Sequence, residues 1–315
     1  MPHAAPRRAL GLALVLLLAL PGGCRWFAPD VPPDRTPRYI APADPPKIAL
    51  VLGSGGPRGF AHIGVLKVLE EIGVKPDLII GSSVGAMVGA LSASGLSAAE
   101  LEQLSERIRV ADFFELGMVG IGKSSGAATQ NYVNEHVGGK SIEQLKTPFA
   151  AAATRVRDGK LVLFNRGDTG LAVRASSANI DSFKPVRVGN EEYVDGDVAS
   201  PVPIHAAREL GARVVIAVDV SAYVEDTPPS APRDWIEGDA RRIKLISAEA
   251  PQADIVLHPN IGYYAGHSDE YRRRVIALAE AYTRKQIPAI RAALLRAGNP
   301  QATGTERIPS GVASR

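Results

Sequence analysis

Apolar residues in this chain fall into short unbroken runs set between glycines and prolines. Ile48-Ala49-Leu50-Val51-Leu52 has no polar alternation, the pattern of a parallel strand buried on both faces. Leu78-Ile79-Ile80 and Val214-Val215-Ile216-Ala217-Val218-Asp219 read the same way. Between the first two runs the period changes. Val65, Leu66, Leu69 and Ile72 share one helical face, and Gly73 suits the C-terminal cap. Strand, helix, strand predicts a right-handed parallel crossover. A small-residue helix, Ala86 to Leu91, follows the second strand.

Further along, Ser97 with Glu100 forms a capping box that opens a helix through Ile108. Residues 117–126 are rich in glycine and serine and predict a mobile loop. Asn131 to Val137 reads as helix, and Ser141 with Gln144 starts another turn. Two hairpins are expected. One joins Phe149–Thr154 to Leu161–Phe164 across Asp158-Gly159, the other joins Val186–Val188 to Glu192–Val194 across Gly189-Asn190. Val173 to Ala178 should begin a helix. Pro203 to Leu210 reads as helix, 228–233 as loop and Asp254 to Leu257 as a late strand. Ser268 to Arg296 is helical, with Pro288 expected to break or kink it. No internal repeat is visible, and the polar tail at 298–315 is expected to be disordered.

The first 46 residues differ from the rest. Arg7 and Arg8 precede an apolar stretch from Ala9 to Leu20, too short to span a bilayer comfortably and typical of a signal peptide over 1–23. Those arginines supply two of the formal net charge of +3, so the remainder is near neutral and no nucleic-acid partner is expected. Cys24 is the only cysteine, which excludes an intramolecular disulfide. With Leu20-Pro21-Gly22-Gly23 before it, Cys24 resembles the lipidated cysteine of bacterial lipoproteins, with Pro21 where leucine is usual. The alternative is an ordinary signal peptide with Cys24 incidental. Residues 24–46 carry seven prolines and predict an extended tether. The folded domain is expected at 47–297. Arg25 is not the aspartate that marks inner-membrane retention in such lipoproteins. The expected address is therefore the outer membrane, facing the periplasm.

Three segments bear candidate chemistry. Gly81-Ser82-Ser83-Val84-Gly85 is a G-x-S-x-G string between strand and helix, the setting of a nucleophile elbow. Ser83 would then sit over a helix N-terminus, which favours negative charge. Gly53-Ser54-Gly55-Gly56-Pro57-Arg58-Gly59 follows the first strand. It fails the dinucleotide fingerprint because Arg58 stands where the last glycine belongs, and it lacks the Lys-Ser/Thr of a P-loop. Consecutive glycines can aim several N–H groups at one point, as an oxyanion hole requires, and Gly55 and Gly56 are the best donors. Arg58 is better suited to stiffening the loop through carbonyls or a carboxylate. Tyr193-Val194-Asp195-Gly196-Asp197 is either a plain turn or a placed carboxylate. No His/Cys/Asp cluster has ligand spacing, so neither metal nor cofactor is expected.

Taken in order, these segments resemble the patatin-like phospholipases. Leu52 to Leu66 is similar to the family's anion-hole block, Gly81 to Gly85 to its nucleophile block, and Val173-Arg174-Ala175-Ser176 followed by Val194-Asp195-Gly196 to its aspartate block. The family's Asp-Gly-Gly or Asp-Gly-Ala is Asp195-Gly196-Asp197 here, and Pro57 replaces a small residue. The resemblance implies an α/β fold, three-layer α/β/α with a central, mostly parallel sheet. It implies a Ser83–Asp195 dyad, with Ser83 as nucleophile and Asp195 as base. Gly53, Gly55, Gly56 and Arg58 would build the anion hole. The implied substrates are phospholipid, lysophospholipid or other acyl esters, met at a membrane surface through the lipid anchor. Asp197 adds a charge that would raise the pKa of Asp195. A Ser-Asp-His triad is the competing arrangement, and His205, His258 and His267 qualify by chain order. His62, on the helix after the glycine loop, reads as a packing or capping residue. A small-ester or thioester hydrolase and a catalytically idle lipid-binding protein also fit the chain. Residues 110–145 and 224–233 are candidate lids.

Overall fold

The computed structural model describes residues 31–109, 112–113 and 123–296. The expected signal peptide, Cys24, most of the loop expected at 117–126 and the tail at 298–315 lie outside the described residues. In chain order the elements are β1 (Ile48–Leu52), α1 (Phe60–Glu71), β2 (Leu78–Ser82), α2 (Val84–Ala93), α3 (Ala98–Arg107), α4 (Ala127–His136), β3 (Phe149–Arg155) and β4 (Leu161–Phe164). There follow α5 (Thr169–Ser176), β5 (Val186–Val188), β6 (Glu191–Asp195), α6 (Ile204–Glu209), β7 (Val214–Val218), α7 (Arg233–Glu249), β8 (Ile255–Leu257) and α8 (Asp269–Arg296).

The all-apolar runs form the centre of the sheet, whose order is β5-β6-β3-β2-β1-β7-β8, with β4 also on β3. Strands β3, β2, β1, β7 and β8 run parallel, and β4 and β6 run antiparallel to β3. Alternation along each strand sends side chains to opposite faces. Ile48, Leu50, Leu52, Ile79, Ile216 and Val218 enter the core beneath α1, α2 and α8. Ala49, Val51, Ile80, Val215 and Ala217 enter the opposite one with Ile204, Ala207 and Ile246 from α6 and α7. Both faces are therefore covered, which is why no polar position interrupts these strands. The expected three-layer α/β/α fold is observed.

Strand β3 is the junction that matters for the site. Ala151 and Ala152 pair with both β2 and β4, and Ala153 and Thr154 with both β4 and β6. Because β4 occupies one edge throughout, β2 and β6 must share the other. They run toward each other along that edge and end at adjacent positions, Ser82 opposite Ala152 and Asp195 opposite Ala153. The residue after β2 is Ser83.

Both hairpins and the Ser97 capping box are as expected. Four expectations change. Val173–Ser176 is the last turn of a helix, since Asp168 caps α5 by accepting the Leu171 N–H at 2.7 Å. Pro288 does not break α8, because Val275, Ile276 and Ala279 before it and Ile290, Ala293 and Leu294 after it are all buried. Helix α7 was not expected, having one buried residue, Ile246, and thus no apolar stripe. Of the proline-rich segment, residues 31–46 are described, and Arg35 to Ile40 are docked on the body. Asn165 accepts the Ile40 N–H at 2.8 Å and donates to Ile40 O at 2.7 Å, and Arg35 O accepts from Asp168 N. Residues 35–40, expected to belong to the tether, are thus held against the body.

Candidate active site

The turn from β2 into α2 is as tight as the glycines imply. A Cβ on Gly85 would lie 2.1 Å from Leu52 O, so the start of α2 presses on the end of β1. Ser83 has φ 55° and ψ −124°, the one positive φ outside glycine among the described residues. Such a conformation costs on the order of 1–3 kcal/mol and persists where its surroundings enforce it. Here they do so through Ser176. Its hydroxyl accepts the Ser83 N–H at 3.0 Å and donates to Ala152 O at 2.6 Å, tying the elbow to α5 and β3.

The meeting of β2 and β6 places Ser83 Oγ 2.8 Å from Asp195 Oδ2, the hydroxyl donating. Asp195 is 2% exposed. Burial, and next the nearby Asp197 charge, push its pKa up to about 7, against the Asp197 N–H and the Ser83 hydroxyl that favour the anion. Its second oxygen accepts the Asp197 N–H at 2.9 Å, and Thr154 Oγ1 donates to its carbonyl at 2.8 Å. The carboxylate is thus fixed, with one oxygen aimed at Ser83.

The glycine loop borders the same spot. Gly55 and Gly56 face the cavity. Gly53 does not, because its N–H donates to Val218 O at 2.9 Å, and the Ser54 N–H donates to Pro201 O at 2.8 Å. Beneath them His62 is fully buried, its pKa lowered to about 4 by desolvation, and its Nε2–H donates to Gly53 O at 2.9 Å. The loop therefore rests on a neutral histidine. Arg58 borders the cavity, but its guanidinium donates to Tyr263 O and lies 6.0 Å from the Tyr263 ring centre. The guanidinium is thus engaged with a backbone carbonyl.

The residues that sequence reasoning missed lie across the chain. Arg242 on α7 donates to Asp197 through Nε at 2.9 Å and Nη2 at 3.1 Å, and Ser54 Oγ donates to the same carboxylate. Burial opposes the Asp197 charge. The Arg242 charge and hydrogen bonds, with the Ser54 hydroxyl, outweigh it and hold Asp197 below the ordinary carboxylate value. The one signal in the sequence was Asp197 itself, an extra carboxylate that needs a partner once buried.

No histidine among the described residues hydrogen-bonds Ser83 or Asp195. His258 Nε2 faces Ser221 O at 3.0 Å and its ring stacks on Tyr223. His205 is exposed and faces Gln252. His267 borders the cavity, its pKa lowered by burial and then by Arg272.

From Ser83 a cavity of about 490 Å³ runs between α1, α2 and α3. Met87, Val88 and Leu91 form one wall, Leu101, Leu104 and Ile108 another, and Phe60 and Ile63 a third. This is the size and lining of a ligand pocket with few polar groups. Of the lid candidates, residues 224–233 do not line it, whereas Phe113 and Thr129 do. Tyr132 and Val133 of α4 are buried in the core.

An elbow serine against a buried aspartate, at the strand ends of a three-layer sheet, defines the class. The profile of the patatin-like phospholipases matches residues 50–208, and the chain belongs to that family. It is 34% identical over 210 residues to an uncharacterized NTE family protein of Mycobacterium tuberculosis, covering 64% of this chain and 57% of that one. It is 32% identical over 199 residues to human patatin-like phospholipase domain-containing protein 6, covering 61% and 14%. Lysophospholipase NTE1 of Coccidioides immitis is 30% identical over 187 residues, covering 58% and 12%. The chain thus spans little more than half, or far less, of these relatives' lengths. The crystal structure of VipD from Legionella pneumophila shares the fold, with a TM-score of 0.54 at 14% identity over 80% of this chain and 68% of that one.

Proposed function

We propose that this protein is a serine acyl hydrolase that cleaves fatty-acyl esters of phospholipids or lysophospholipids. The observation that carries the reading is the 2.8 Å hydrogen bond from Ser83 Oγ to Asp195 Oδ2 at the head of an apolar cavity. Family membership, and a relative named as a lysophospholipase, support the lipid substrate.

In this reading the acyl chain lies along α2, with its carbonyl carbon over Ser83. Asp195 takes the hydroxyl proton as Oγ attacks. An unperturbed aspartate, with pKa about 3.9, is a weak base for a hydroxyl. One whose pKa is raised to about 7 is better matched to neutral pH. The carbonyl oxygen becomes an anion beside the Gly55 and Gly56 N–H groups and the N-terminus of α2. Its collapse breaks the ester C–O bond, and Asp195 returns the proton to the departing alcohol. Water then attacks the acyl-enzyme and gives a proton to Asp195; the acyl–Oγ bond breaks, Asp195 returns that proton to Ser83 Oγ, and the fatty acid leaves. No histidine enters the cycle.

The test is fatty-acid release from phospholipid, from lysophospholipid and from p-nitrophenyl esters. Ser83→Ala and Asp195→Asn should each lower turnover by about a thousandfold or more. His258→Ala should retain it. Unchanged release by Ser83→Ala, or lost release by a folded His258→Ala, would sink the proposal.

A further inference from the structure

We propose that the Asp197–Arg242 ion pair is a positioning device for Asp195 and sets the pH range over which Asp195 accepts the Ser83 proton. The inference rests on the hydrolase reading and goes one layer behind the dyad.

Three segments converge on the Asp197 carboxylate. Arg242 approaches from α7 with two N–H groups, at 2.9 and 3.1 Å. Ser54 donates from the glycine loop. Asp197 itself belongs to the single turn that follows β6, and its backbone N–H is what occupies Asp195 Oδ1. Anchoring Asp197 therefore orients Asp195, and also ties the loop that carries Gly55 and Gly56 to the base.

The pair also explains how α7 is held. Ile246 is the helix's one buried residue, so little apolar packing fixes its first half. What ties it there is polar. Arg242 bonds Asp197 and, through Nη1 at 2.9 Å, Asp239, and Tyr263 OH bonds Asp239 at 3.1 Å. Arg242 and Asp197 both border the cavity, so the pair lies where substrate lies.

The charges facing Asp195 are few. Asp197 disfavours its anion and Arg242 favours it, and Arg241 is 3.6 Å from Asp197 on the outer side. Helix α2 carries no ionisable group. On α5, Arg174 bonds Ser125 O and Gln130, and on β3 Arg155 bonds Asp158. Arg58 is held by Tyr263, His62 is buried, and His267 stands at the cavity wall. The two members of the pair therefore act on the base with opposite sign.

That opposition is the test. The rate at which a fluorophosphonate modifies Ser83 is followed against pH, using the full chain. Removing the negative charge with Asp197→Asn should move the acid limb down by about one pH unit. Arg242→Gln should move it up by a similar amount. The double variant should return near the wild-type midpoint, and Arg242→Lys, which restores the charge, should do so as well. Thermal melts identify a variant that has lost its fold, and Arg242→Lys against Arg242→Gln then carries the comparison. A purely structural pair would lower the rate in every variant with one common midpoint. That outcome, or shifts of the same sign in both single variants, overturns the proposal alone. Wild-type Ser83 that takes no label overturns the hydrolase reading and this proposal with it.

Discussion

Burial and the Asp197 charge act on Asp195 in the same direction, and the consequence reaches stability as well as catalysis. Its folded pKa, about 7, lies above the unfolded value, so between pH 4 and 7 the folded state holds a proton that the unfolded state has lost. Stability from this group is thus greatest below the unfolded pKa and declines as pH rises through the folded one. The cost at higher pH is on the order of 1.4 kcal/mol for every tenfold difference in proton affinity between the folded and unfolded carboxylate. Asp195→Asn should therefore raise the melting temperature at pH 8 while abolishing turnover, and change it little at pH 4. An equal effect at both pH values would contradict this origin. The residues legible in the sequence, Ser83, Asp195, Gly55 and Gly56, are those whose chemistry is written in contiguous strings. Ser176 and Arg242 were not legible, because their partners are 93 and 45 positions away.

At the scale of elements, the cavity is walled by α1, α2 and α3, three helices expected from the sequence. Helix α2 places Val84, Met87, Val88 and Leu91 along one face, and Leu91 lies about 12 Å of helical rise from Ser83. Leu91 and Leu101 both line the cavity and are both buried. Leu101→Trp should shift the preference among p-nitrophenyl esters from palmitate toward short acyl chains, leaving acetate turnover nearly unchanged. Overpacking will cost about 1–3 kcal/mol in a thermal melt. An unchanged chain-length profile would place the acyl chain elsewhere. Helix α7 escaped sequence reading because it is held by ion pairs in place of an apolar stripe. The start of α5 escaped because a cap is a contact between a side chain and a backbone three residues on, which apolar periodicity does not register.

For the whole molecule, the parallel centre of the sheet, covered on both faces, follows from runs apolar at every position, but the abutment of β2 and β6 does not. It depends on two strands sharing one edge of β3, a long-range register that no local pattern encodes. The docking of residues 35–40 was likewise not legible, because prolines announce extended chain without saying whether it is free. Residues 35–40 lie on 165–168, immediately before the Asp168 cap of α5. Arg35 adds an ion pair to Asp168 at 3.5 Å. Helix α5 ends in Ser176, which holds the Ser83 N–H, so the docked segment supports the elbow through one helix. A fragment beginning at Val31 should keep wild-type stability and fluorophosphonate labelling. One beginning at Lys47 forfeits the bonds of Arg35, Arg38 and Ile40, at about 1 kcal/mol each. It should melt several degrees lower and label more slowly, with the acid limb of its pH profile unmoved, since no charge facing Asp195 has changed. If the two fragments melt and label alike, the segment is a spacer along its whole length and α5 needs no support from it.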